Sequence, residues 1–304
     1  MSAAAEVAPI RPARSGARRS PLAAAASFLV LLAGTVLMLL PLLWMALVAL
    51  QDEQGAMKAT ASSDLLALVP STPHVGNFAE ALRQMGSEPW MGFLDALSNS
   101  ILVTALVTLG TVLSSSMVAL AFARLRFRGR GVLFLVTLAT MMLPAQVTLI
   151  PLFLLFRGAG WIDTLLPLIV PAFFGSAFFI FMYRQFIAQI PEALFEAARL
   201  DGLGWLGIWW RIVLPMCRPV TAICVVFTFI YTWNDFLAPL VYLHSNEEAT
   251  LSVALNSFRN QYGGVNRLNL LMAATLATML PCIILFLAAQ RHFVQGLGRG
   301  AVKG

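Results

Sequence analysis

Residues 21–50 read PLAAAASFLVLLAGTVLMLLPLLWMALVAL, an apolar run without a single Asp, Glu, Lys, Arg or His. A helix crosses the hydrocarbon core of a bilayer with roughly 20 such residues. Arg11, Arg14, Arg18 and Arg19 precede the run, which is the charge order of a secretory signal. A signal's apolar region is only about 7–15 residues long. The stretch therefore reads as a retained membrane helix, and it sets the scale for the rest of the chain.

Five more apolar runs follow, at about 99–123, 132–156, 165–183, 219–243 and 270–290. The 304 residues are 59% hydrophobic and 11% charged, with a mean hydropathy of +0.82. Soluble domains carry about 25% charge. The fold class expected is an all-α polytopic membrane protein of six transmembrane helices. Fifteen of the 20 Lys and Arg fall before the first run, after the second, after the fourth and after the sixth. Basic residues mark the cytoplasmic side, so both termini are expected there. The expected organisation is a basic cytoplasmic tail at 1–20 and a six-helix domain at 21–290. That domain has an external loop at 51–97 and a cytoplasmic loop at 184–218, and a cytoplasmic tail follows at 291–304. Within the external loop, His74 to Leu82 reads as a short surface helix.

The second run is rich in small residues such as Gly110, Ser114, Ser115 and Ser116, which let helices approach closely in lipid. Pro144, Pro151, Pro167 and Pro171 lie inside the third and fourth. Such prolines suit kinked helices lining a pathway, and they also suit bends made for packing alone.

Several chemistries are set aside. The basic residues sit in short loops, not on a readout face, so nucleic acid is not an expected partner. Cys217, Cys224 and Cys282 form no CxxC pair, and apolar packing suits them better than a disulfide or zinc. His74, His244 and His292 are scattered, so no metal site is expected. The chain contains no Gly-x-x-x-x-Gly-Lys-Ser/Thr, and hence no phosphate-cradling loop of its own. An enzyme is not expected.

The loop at 184–218 carries the densest pattern. Pro191 suits the first helical position, and Glu192 complements the helix N-terminus. Gly202 suits the left-handed residue that ends a helix, and a second helical stretch runs to Pro215. The loop reads as two short helices joined at a glycine. Ala193, Ala197 and Ala198 smooth the first of them, and Glu196 projects one charge, a shape that fits another protein's cleft.

Here the chain resembles a known family. Glu196-Ala197-Ala198, Gly202, Ile212, Leu214 and Pro215 match the EAA signature of permease subunits of bacterial ABC importers. Ala121 to Arg124 with Phe127 and Gly129, Trp233-Asn234-Asp235-Phe236 and the ending Gly300 to Gly304 are similar to carbohydrate-importer permeases of the maltose type. The resemblance implies the type I importer permease fold and a place in a bacterial or archaeal inner membrane. It implies that the EAA loop is a coupling helix: Glu196 makes a polar contact to a partner ATPase, Ala197 and Ala198 pack in its groove, and Gly202 forms the bend. Leu214 and Pro215 complete the motif, and the tail around Gly300, Lys303 and Gly304 reaches the ATPase dimer. It further implies a second, different permease chain and an external solute-binding protein, with ATP and Mg bound by the ATPase and no cofactor in this chain.

Asp235 is the one Asp, Glu, Lys, Arg or His inside the predicted spans. Intramembrane charges default to functional readings. With Asn234 and Trp233 it is a candidate for the substrate pathway, and a polar clamp between helices is the alternative. No Arg or Lys falls inside a span, which favours a neutral sugar or oligosaccharide over a phosphorylated polyol such as glycerol 3-phosphate. A secondary transporter, the other competing reading, usually shows internal repeats and charges at the midplane. Neither is evident.

Overall fold

The computed structural model describes residues 21–61, 69–85, 92–245, 247–261 and 267–300. Every described element is helical: α1 Pro21–Ala49, α2 Glu53–Ala61, α3 Gly76–Met85, α4 Phe93–Arg124, α5 Arg130–Thr140, α6 Ala145–Gly158, α7 Leu166–Ile169, α8 Ala177–Ala188, α9 Glu192–Leu200, α10 Trp205–Ile208, α11 Leu214–Met216, α12 Arg218–Trp233, α13 Leu237–Tyr242, α14 Leu251–Gln261 and α15 Leu268–Gly300. A 3-10 turn spans Val170–Phe174, and a π turn spans Trp209–Val213.

The chain divides into two units, Met1–Met45 and Ala46–Gly304. In the first, the described residues, 21–45, are the greater part of α1, apolar around its circumference and exposed along residues 24–41. Such a surface requires lipid or another protein around it.

The second unit is built on α4. At 32 residues it is about 48 Å long at ~1.5 Å per residue, and no proline interrupts it. It packs chiefly against α8, α12 and the 170–174 turn, while α15 packs on α12 and α3. Ala96 joins a core cluster with Ala81, Trp233, Phe258 and Ala274. At the other end Ala119 joins a cluster with Tyr183, Ile187, Phe195, Ile208 and Val220.

Among the described residues, four helices are long and apolar enough to cross a membrane, or six if two bent pairs each count as one span. The third, fourth and fifth predicted spans are not single helices. The third predicted span is two helices, α5 and α6, bent by 100° at residues 141–144. The fourth breaks at Gly175, whose φ of +90° only glycine adopts easily. The fifth is α12, a break at residues 234–236, and α13. At 16 residues, α12 spans only about 24 Å, less than a bilayer's ~30 Å core.

Broken backbone is tolerated at membrane depth only where its polar groups find partners. For the fourth span, small residues of α4 supply them. Ser114 donates to Ala172 O at 3.0 Å, and the Ser176 N–H donates to Ser115 Oγ at 3.0 Å. Gly110 makes the approach possible, since a Cβ there would lie 2.8 Å from the Phe173 ring. The helix expected on the surface near 74–82 is α3. Its Asn77, Ala81 and Met85 are buried, and Asn77 Nδ2 donates to the carbonyls of Ala49 and Gln51 at 2.8 and 2.7 Å.

Candidate functional site

A cavity of about 520 Å³ opens where α4 meets the broken helices. Ser100, Thr104 and Thr111 of α4 face it, with Thr228 and Thr232 of α12 and Thr250 beyond α13. Pro167, Pro171, Phe179, Phe227 and Tyr231 supply apolar surface. Among the described residues, Asp235 is its one acidic lining residue, and no Lys, Arg or His lines it.

Asp235 sits in the break between α12 and α13. The Ala238 N–H approaches Asp235 Oδ1 at 3.4 Å, a weak cap on α13, and Ser252 Oγ donates to the Asp235 carbonyl at 2.6 Å. Its two sequence partners go elsewhere. Trp233 is buried, donates Nε1 to Thr278 O at 3.0 Å and stacks on Phe229. Asn234 is exposed and donates back to Ile230 O at 2.7 Å. Neither lines this cavity.

The second feature is the amphipathic loop. α9 begins at Glu192 with Pro191 as its cap, one residue later than the sequence suggested. Its end is a Schellman motif. The Leu203 N–H donates to Ala198 O at 2.9 Å and the Gly202 N–H to Arg199 O at 3.0 Å, with Gly202 at φ +82° as expected. Phe195 and Ala198 face the chain's own core. Ala193, Glu196, Ala197 and Leu200 are exposed, Leu200 by 89%. The structure thus separates Ala198 from Ala197: Ala198 is 4% exposed and packs inside the chain, since a helix buries residues three apart on one face. Gly202 and Pro215 are exposed and Leu214 half-buried. Gly300 is the last residue of α15. Lys303 and Gly304 lie outside the described residues.

Three residues carry this geometry through contacts that the sequence did not reveal. Arg124, at the end of α4, pairs with Glu192 and Ile190 O, donates to Ile187 O at 2.8 Å and lies 4.4 Å over the Phe195 ring. Trp209 donates Nε1 to Ser116 Oγ of α4 at 3.0 Å. Asp163, in the left-handed region at φ 64°, joins the turn after α6 to the end of α13. Its Oδ1 accepts the N–H groups of His244 and Ser245 at 2.8 and 2.6 Å. Those two bonds, Ser245's first, hold its carboxyl below the usual range.

A bundle of interrupted apolar helices around a hydroxyl-lined cavity, carrying a solid amphipathic loop at one end, is the form of a multi-pass membrane permease. Residues 110–299 match the model of the binding-protein-dependent transport system inner membrane component, and the chain belongs to that family. It is similar to the arabinooligosaccharides transport system permease protein AraQ of Halalkalibacterium halodurans, 33% identical over 77% of this chain and 81% of that one. It is also similar to the sn-glycerol-3-phosphate transport system permease protein UgpE of Yersinia pestis, 31% identical over 88% of this chain and 94% of that one. In structure it matches a chain of a bacterial ABC transporter involved in importing the acidic polysaccharide alginate, with a TM-score of 0.75 and 21% identity. That match covers 94% of this chain and 100% of the other. The fold is that of an ABC importer permease, and the resemblance to carbohydrate-uptake permeases is borne out.

Proposed function

We propose that this chain is one transmembrane half of an ATP-driven importer for a neutral sugar or oligosaccharide, coupled to its ATPase through α9. The observation that carries the coupling is the two-sidedness of α9. Phe195 and Ala198 fix the helix from behind, while Ala193, Glu196, Ala197 and Leu200 stand exposed. A firmly seated helix with a small-residue face and one carboxylate fits a groove in a partner. α9 and both termini then lie in the cytoplasm, as the basic residues favour. The tail at Gly300, Lys303 and Gly304 would reach the ATPase dimer, which binds ATP and Mg. A second permease completes the pathway, and lipid and that permease share the apolar circumference of α1. A solute-binding protein delivers substrate at the opposite face.

The cavity supports the substrate class. Hydroxyls of Ser100, Thr104, Thr111 and Thr228 can donate to and accept from sugar hydroxyls. Phe227 and Tyr231 offer faces for stacking, and the Asp235 carboxylate accepts from a hydroxyl. A phosphorylated polyol, as in the name of the Yersinia relative, is the second reading. It needs a cation, which the second permease would have to supply. Uptake by the purified complex in vesicles, with a neutral oligosaccharide against glycerol 3-phosphate, separates the two. Preference for glycerol 3-phosphate would overturn the first reading.

A further inference from the structure

We infer that Arg124 is a positioning residue that makes α9 and α4 move as one body, so that a displacement of the loop reaches the cavity wall. The inference rests on the coupling reading above and adds the part that transmits the motion.

The side chain of Arg124 is 12% exposed, and its two terminal nitrogens donate to one short segment. It meets the Glu192 carboxylate and the carbonyls of Ile187 and Ile190, with Ala188 O at 3.5 Å. Its plane lies over the Phe195 ring at 4.4 Å. A planar fork that binds several oxygens and stacks on an aromatic face has little freedom left, and a lysine cannot copy it. The contacts capture the end of the α8–α9 connection and the first turn of α9 together.

The other end of the link is α4 itself. From Arg124 back to Thr111 the helix is continuous for 13 positions, about 20 Å at ~1.5 Å per residue. Thr111, Val107, Thr104 and Ser100 then line the cavity. Of the other spans that line it, the fourth is interrupted by the 3-10 turn at Val170–Phe174 and the fifth by the break at residues 234–236, and α8 reaches the cavity only with Phe178 and Phe179 of its first turn. An interruption absorbs displacement, whereas a continuous helix passes it on. The bond from Trp209 to Ser116 ties the second half of the loop to the same rod. A displacement of α9 therefore carries α4, and with it one wall of the cavity.

The test uses the complete complex in lipid vesicles, with Cys217, Cys224 and Cys282 replaced by alanine. Val107→Cys is introduced as a reporter for a hydrophilic maleimide. Trapping the ATPase with ATP, Mg and vanadate changes the labelling rate when Arg124 is present. In Arg124→Gln that change is lost, while the ATPase still co-purifies and still hydrolyses ATP. Arg124→Lys restores it only in part. An undiminished change in Arg124→Gln overturns the proposal, and so does release of the ATPase, which would make Arg124 a docking residue. Should Arg124→Gln fail to accumulate, Arg124→Lys and Glu192→Gln are read the same way, and an undiminished change in both overturns it. Failure of the unaltered chain to retain any ATPase would instead count against the coupling reading.

Discussion

The indole N–H of Trp209 donates to Ser116 Oγ over 3.0 Å, and so pins the π turn of the amphipathic loop to the C-terminal third of α4. π turns are rare and recur at functional sites. Ser116 keeps a second bond, to Leu113 O at 3.1 Å, so the hydroxyl is satisfied at both ends. Trp209→Phe removes only the link. It should cost about 1 kcal/mol of stability, the usual net value of such a bond. Thermal unfolding of the purified complex, taken with Ser116→Ala and the double variant, measures it. The two changes should cost less together than their sum.

Gly202 is at φ +82°, and a Cβ there would meet nothing within 4 Å. The penalty for Gly202→Ala is therefore torsional, roughly 1–2 kcal/mol for a left-handed non-glycine residue. Gly204, two residues on, has φ −72° and equal space. Gly204→Ala should be neutral, or stabilising by roughly 0.4–1 kcal/mol through the unfolded chain. Melting temperatures of the two variants should move in opposite directions, or only the first should fall.

The Asp163 carboxyl titrates below its ordinary value of 3.8 because it accepts the backbone N–H groups of Ser245 and His244. A lowered folded-state pKa gives stability that is complete above the unfolded value. That stability fades as pH falls through the folded one. The clip between the 157–163 turn and the end of α13 should hold at neutral pH and loosen only in acid below about 3.8. Protease susceptibility of residues 157–163 across an acid series reads it. Asp163→Asn should flatten the dependence.

How far the sequence could be read depended on the range of each contact. Gly202 and the helix before it announce themselves within a few residues, and they stand as expected. Pro191 is misplaced by one position, because proline fits a cap as well as a first turn. The break at 234–236 contains neither proline nor glycine, so hydropathy ran the fifth span straight through it. Ala198 differs from Ala197 only in which way it faces, and alanine suits either side. Arg124 closed a stretch that resembled other permeases, but nothing near it named its partners. Its partners lie 63 to 68 positions away, beyond any local pattern.

Asp235 is the acidic lining residue of the cavity. If it binds substrate hydroxyls, Asp235→Asn should keep part of the uptake and Asp235→Ala should lose tenfold or more, about 1.4 kcal/mol of binding. Stability should change little in the asparagine variant. Full uptake in both variants would remove Asp235 from the pathway and leave it as the cap of α13.

Purification of the intact complex through this chain, before and after Glu196→Arg, tests the coupling most directly. Glu196 is exposed on the outward face of α9, so the change should leave the fold intact. The unaltered chain should bring an ATPase with it and import solute only with ATP. Glu196→Arg should release that ATPase or abolish uptake. Uptake by the chain with no ATPase present, or an unchanged complex carrying Glu196→Arg at full activity, would contradict it.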